Sequence, residues 1–164
     1  MSFQKTKINT ICIFRLNKVP SSMINNMKIR ITTLNEGSHT RLIQYKMNSS
    51  IRISILQRGI KRIRYVWLGT HLYKNITFAR SLWKIARNYN EENAQAKNQP
   101  IGISFIRNKL DIHKYIYELY YCYGKEFEKN VKFRSFFWGR KYIIYQMSNK
   151  KLIIQEFFST SIIL

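Results

Sequence analysis

Acidic residues are the scarcest feature of the sequence: 8 Asp and Glu stand against 29 Lys and Arg, a formal charge of +21 over 164 residues. Residues 1–90 hold 17 of the basic residues and a single acid, Glu36. So few carboxylates leave little to coordinate a hard metal ion, and the chain shows no acid pair at metal-binding spacing. Glu91, Glu92, Glu126 and Glu128 read as solvated helix charges. Cysteine is equally sparse. Cys12 and Cys122 lie far apart, with no Cys or His close by, which excludes a zinc motif and a disulfide framework. Both read as buried thiols. With 6 Gly and 2 Pro, no Gly/Ser or Pro-rich linker is present. No apolar run is long enough to span a bilayer as a helix.

Hydrophobic residues make up 45% of the chain and aromatic residues 15%, too apolar for a disordered basic tail. The excess of Ile, Asn, Lys, Tyr and Phe, with only four Ala, fits AT-rich codons, as in an organelle or an AT-rich microbe. The charge calls for a polyanion, and nucleic acid is the expected partner. A membrane partner is not expected, because the bases are spread along the chain rather than set on one face of an amphipathic helix. Lys5–Lys18 is basic, apolar and acid-free, as a presequence would be. Its retention behind Met1 is what a chain made inside the organelle would show.

The segments 28–34, 41–47 and 51–68 alternate apolar and polar residues and are rich in β-branched types, so they read as strands. Gly37 and Asn48-Ser49-Ser50 would supply the turns. From Phe78 to Tyr89 the spacing becomes helical, giving a helix over about 76–90 with Arg80, Lys84 and Arg87 outward. The polar run 91–99 marks a boundary. A second helix is expected from Asp111 to about 130, with Tyr115, Leu119, Cys122 and Tyr123 as its stripe. Lys141–Met147 and Lys151–Phe158 read as a hairpin joined at Ser148-Asn149-Lys150.

Catalytic signatures are not visible. His39, His71 and His113 have no Cys, His or acid at ligand spacing and read as structural or RNA-facing side chains. No phosphate-cradling glycine loop and no Ser/His/Asp arrangement occurs. The sequence therefore predicts a non-enzyme with no catalytic, metal or cofactor residues. Aromatic and basic residues interleave at Tyr120–Tyr123 and at 133–138, a mixture that can stack on single-stranded bases but reads first as core.

The order of features over 97–164 resembles the small ribosomal subunit protein three family, the K-homology-domain protein of the subunit head. The residues carrying it are Lys97-Asn98-Gln99-Pro100-Ile101-Gly102, then Tyr121–Lys125 with Asn130–Phe137, then the runs Arg140–Met147 and Lys150–Phe158. Gln99 and Ser104 depart from the family pattern, and the family's Gly-x-x-Gly loop lies beyond Leu164. The resemblance implies an α+β fold: a basic, strand-rich extension over 1–96 with one helix, then a partial type II K-homology domain over 97–164.

It also implies that a second chain completes that domain against Ile143, Tyr145, Leu152, Ile154, Ile162, Ile163 and Leu164, since a lone hairpin is marginal in water. The bases expected to grip ribosomal RNA are Arg52, Lys61, Arg62, Arg64, Arg80, Lys84, Arg87, Lys97, Arg107, Lys109, Lys132, Arg134, Arg140 and Lys141. The function so implied is a structural part of a mitochondrial small ribosomal subunit, beside the other proteins of its head. Three rivals stay open: an unrelated organelle ribosomal protein, a maturase or homing-endonuclease fragment, and an accessory subunit of a respiratory complex.

Overall fold

The computed structural model describes residues 8–16, 25–57, 63–72, 75–84, 101–107, 109–125, 127, 129, 136–146 and 151–159. The elements in chain order are β1 (Asn9–Arg15), α1 (Met27–Thr33), α2 (His39–Met47), β2 (Arg52–Gln57), β3 (Ile63–Gly69), β4 (Thr77–Lys84), α3 (Ile101–Arg107), β5 (Ile112–Tyr123), β6 (Phe137–Gln146) and β7 (Lys151–Phe158). The strands form one antiparallel sheet in the order β1-β5-β6-β7-β4-β3-β2.

Two segments expected as strands are helices. The Asn26 side chain accepts from the Ile29 amide at 3.1 Å and starts α1, and Ser38 accepts from the Arg41 amide at 3.4 Å and starts α2. These caps satisfy donors that a helix start leaves open, and they outweigh the modest cost of β-branched residues inside. Asn48, expected to turn one strand into the next, instead ends α2 in the left-handed conformation at φ 43°.

Two segments expected as helices are strands. Thr77–Lys84 is β4, with Thr77 and Ser81 buried on one face and Phe78 on the other. Ile112–Tyr123 is β5. Its register slips between Ile116 and Glu118, leaving Tyr117 as an extra residue. The bulge places Ile116 and Leu119, opposite Tyr142 and Arg140, on the same face. Three-residue spacing on one face imitates a helix. The runs 51–57, 63–68, 141–146 and 151–158 lie in strands, as their alternation predicts.

Strands from both sides of the boundary drawn at 96/97 share the sheet, β4 pairing with β7 from Thr77↔Phe158 to Lys84↔Lys151. The β6–β7 hairpin is flanked by β5 and β4 of its own chain. Leu152 and Ile154 are buried with Phe105, Tyr142 and Ile144, and Ile143 and Tyr145 are half-buried. Cover expected from a second chain thus comes from this one.

Each sheet face has its own core. Trp67, Phe78, Tyr120, Cys122, Phe137 and Phe157 pack with Phe127 on one. On the other, Val66, Leu68, Ile76 and Phe158 pack with Ile43 of α2, while Phe105 of α3 covers Tyr142, Ile144 and Ile154. Between these two helical patches the second face stays open as a cavity.

Candidate active site

The cavity has a volume of about 1020 Å³ and is walled by β2 to β7, the start of α2, and α3 with the loop behind it. Its apolar lining includes Val66, Ala79, Phe105, Ile144 and Ile154, and its polar lining includes His39, Arg64, Ser81, Lys114, Tyr142 and Glu156. An apolar pocket with a few convergent polar groups is the usual form of a small-molecule site.

The floor is an ion network built on sheet register. Arg140 and Glu156 are partners across β6 and β7. Arg140 Nε donates to Glu156 Oε2 at 2.8 Å, and Tyr142 Oη donates to Oε1 at 2.8 Å. Arg140 Nη2 is also 2.8 Å from Oε2, but its angle is not that of a hydrogen bond, so the contact there is an ion pair. The third guanidinium nitrogen donates to Thr32 O at 3.4 Å, Thr33 O at 3.2 Å and Asn35 O at 2.8 Å. These carbonyls end α1, where a cation complements the helix dipole. Burial pushes the Glu156 carboxyl up, but Arg140, the other cationic neighbours and the Tyr142 hydroxyl outweigh it and hold it at about 2. Glu156 is a fixed carboxylate.

His39 opens α2. Its Nε2 shares a hydrogen bond with Thr77 Oγ1 at 3.0 Å and its ring lies 4.8 Å from that of Phe158. Burial, more than the charge of Arg140 or Lys114, lowers the imidazole to about 3 against the pull of Glu156, so it is neutral at physiological pH. Lys114 enters from β5, its Nζ donating to Asn35 O at 2.9 Å and Gly37 O at 3.3 Å and lying 4.4 Å over the Tyr142 ring. Burial and then Arg140 lower this amine to about 8, against Glu156 and Glu36. Burial also lowers half-buried Arg64, which faces Ser81 across β3 and β4. Among the described residues no group of His, Cys, Asp and Glu could hold a metal ion. No described helix is long and apolar enough to cross a membrane.

The bases expected to grip RNA scatter. Arg52, Arg80, Arg107 and Lys109 are exposed, Lys109 at the cavity behind α3, and Arg80 Nε donates to Gln155 Oε1. Lys84 ends β4. Lys141 pairs with Glu118 at 3.2 Å on the far sheet face. Arg64 lines the cavity and Arg140 lies beneath it, fully buried. Lys61, Arg62, Arg87, Lys97, Lys132, Arg134, Ile162, Ile163 and Leu164 lie outside the described residues. His39, Lys114, Tyr142 and Glu156 carried no site signal in the sequence. The cross-strand Arg-Lys-Tyr and Gln-Glu-Phe alternation of the hairpin, with opposite charges at Arg140 and Glu156, was the one available hint.

The profile of the family described as "Chorismate pyruvate-lyase Rv2949c-like" matches residues 21–163. The chain belongs to this family. Three relatives carry the designation ycf21. The one from Antithamnion sp. is 35% identical over 136 residues, covering 79% of this chain and 76% of the relative. Those from Porphyra purpurea and Pyropia yezoensis are 30% identical over 155 residues (86% and 88%) and 28% identical over 170 (92% and 94%).

Family membership overturns the resemblance to the ribosomal protein and what followed from it. Ribosomal RNA, head proteins and a K-homology partner chain have no support, and the family is named for an enzyme where a non-enzyme was expected. The resemblance set Tyr121–Lys125 at the end of a helix expected from Asp111 to about 130, whereas Ile112–Tyr123 is a strand. An organelle-encoded origin stands, as the designation shared by the red-algal relatives implies, without support for the mitochondrion.

Proposed function

We propose that the chain is a plastid chorismate pyruvate-lyase, cleaving chorismate to 4-hydroxybenzoate and pyruvate. The plastid assignment rests on the red-algal relatives. The observation carrying the activity is the cavity itself: an apolar chamber with cationic groups on two sides and a buried carboxylate on its floor, in a chain of this family. Chorismate is a dicarboxylate on a nonaromatic ring. The ring carboxylate suits Arg64 on β3, and the enolpyruvyl carboxylate suits Lys114 on β5 together with the first turn of α2, whose amides face no helical acceptor.

The reaction breaks the ether C–O bond, sheds a ring hydrogen as a proton and leaves an aromatic ring. The released enolpyruvate gains a proton on carbon to become pyruvate, with no net oxidation. As the C–O bond breaks, positive charge grows on the ring, and the fixed Glu156 carboxylate answers it. Glu156 at about 2 and His39 at about 3 are weak bases at neutral pH. Lys114, at about 8, is mostly an ammonium there and suits protonation of the departing ether oxygen.

The test incubates purified protein with chorismate and follows pyruvate by coupled reduction and 4-hydroxybenzoate by chromatography. Equimolar release of both above the uncatalysed rate is expected. Chorismate decay at the buffer rate, with neither product enriched, would overturn the reading.

A further inference from the structure

Lys114 places a primary amine in a chamber of aromatic and apolar groups, beside a second cation. Its Nζ lies 4.4 Å over the Tyr142 ring, and the Arg140 guanidinium carbon lies 5.2 Å from the same ring. Desolvation next to another cation is the arrangement that activates a lysine as a nucleophile toward carbonyl carbon. With the amine held at about 8, roughly a tenth of it is neutral at pH 7, a few hundred times the share of a solvated lysine.

The surroundings narrow the partner. Nζ donates to Gly37 O at 3.3 Å, and Ser38, the next residue, caps α2. The amine thus stands next to the start of α2, where the His39 and Thr40 amides have no intrahelical acceptor and anions are favoured. His39 there is neutral and only 5% exposed, and its Nδ1 has no hydrogen-bond partner among the described residues. A 2-oxo acid has its ketone and carboxylate on adjacent carbons, matching an amine beside a helix start.

We propose that Lys114 captures 2-oxo acids covalently, its amine forming an imine with the ketone carbon while the carboxylate rests at the first turn of α2. The neutral amine adds to the carbonyl, a proton passes from nitrogen to oxygen, and the carbinolamine loses water to leave the C=N bond. Hydrolysis returns both partners, so no oxidant or reductant is needed. The choice of pyruvate as the 2-oxo acid rests on the lyase reading above. In that reading Lys114 turns neutral on protonating the leaving group, just as pyruvate forms beside it, and capture would hold back the product.

Full-length protein incubated with pyruvate and cyanoborohydride at pH 7.5, then digested and mapped by mass spectrometry, tests the capture directly. The hydride fixes the imine as a carboxyethyl-lysine. Labelling of Lys114 is expected to outrun that of the exposed Lys125 and Lys151 by at least about tenfold, as its desolvated place in the chamber favours attack on a carbonyl carbon. Lys114→Arg should abolish it, and the wild-type peptide map decides the matter should that variant fail to fold. No adduct, or labelling that merely follows exposure, would overturn the proposal. Replacing pyruvate with chorismate separates the two readings. An adduct with pyruvate but none with chorismate leaves the capture standing and counts against the lyase. No adduct with pyruvate refutes the capture even where chorismate is turned over.

Discussion

Arg140 and Glu156 face each other across β6 and β7, and the Arg140 Nε–H reaches Glu156 Oε2 at 2.8 Å with neither side chain meaningfully exposed. The pair ties the sheet to the helical layer, because the same guanidinium holds the carbonyls of Thr32, Thr33 and Asn35. Removing one member strands the other without water. Arg140→Met should lower unfolding stability in urea by ~3–5 kcal/mol, the usual cost of an orphaned buried charge. Arg140→Met with Glu156→Leu should recover part of that loss, since two apolar groups leave no charge behind, although the α1 carbonyls stay uncapped. A double variant less stable than Arg140→Met alone would contradict this account.

Acid should destabilise the protein in two stages. His39 falls from 6.5 to about 3 on folding, so between those values the unfolded chain binds a proton that the native chain refuses. Stability is therefore intact above 6.5 and is lost as pH falls toward 3, with a slope of up to about 1.4 kcal/mol per pH unit. Glu156, depressed from 4.5 to about 2, adds a second loss below 4.5. Urea midpoints for His39→Asn should be nearly flat from pH 6.5 to 4.5, while wild type declines. Parallel curves for the two proteins would show that His39 does not carry the first stage.

Gly139 sits between Tyr120 and Phe157 in the register of β5, β6 and β7. A methyl group there would lie 2.6 Å from Phe157 Cδ1 and 2.8 Å from the Glu156 carbonyl oxygen. The ring could turn aside, but the backbone oxygen belongs to the sheet ladder and cannot. Gly139→Ala should cost about 1–3 kcal/mol, the range for overpacking a tight core. Thermal melting checks it, and an unchanged midpoint would mean the strands separate more readily than their pairing suggests.

Strands with plain alternation could be read from the sequence, and β2, β3, β6 and β7 lie where their patterns put them. The errors have local causes. In α1 and α2 one capping side chain each, from Asn26 and Ser38, overrides β-branched composition. In β5 a bulge changes the spacing of buried residues. The site was harder still, because its members come from five separate segments. Arg64 and Arg140 drew notice only as cations, and the charge of the chain suggested phosphate outside rather than a carboxylate network inside. Nothing local tells that Lys114 reaches Tyr142, or that Glu156 lies under His39, until the sheet order sets β5, β6 and β7 side by side.

Arg64 offers the most direct separation of binding from chemistry. It lines the cavity from β3, with the three strands β4, β7 and β6 between it and Lys114 on β5, so the two cations address opposite ends of a ligand. A guanidinium meets a carboxylate through paired N–H groups, which an ammonium cannot reproduce. Arg64→Ala should lower kcat/KM for chorismate by roughly ten- to a hundredfold, the worth of a charge-assisted hydrogen bond. Most of that should appear in KM, since a ring carboxylate is bound alike before and during C–O cleavage. Arg64→Lys should regain only a minor part. Binding of 4-hydroxybenzoate, measured by calorimetry, should weaken in Arg64→Ala by a similar factor, because the product keeps the ring carboxylate. A fall confined to kcat, with product affinity unchanged, would move Arg64 from holding the substrate to acting on the bond that breaks.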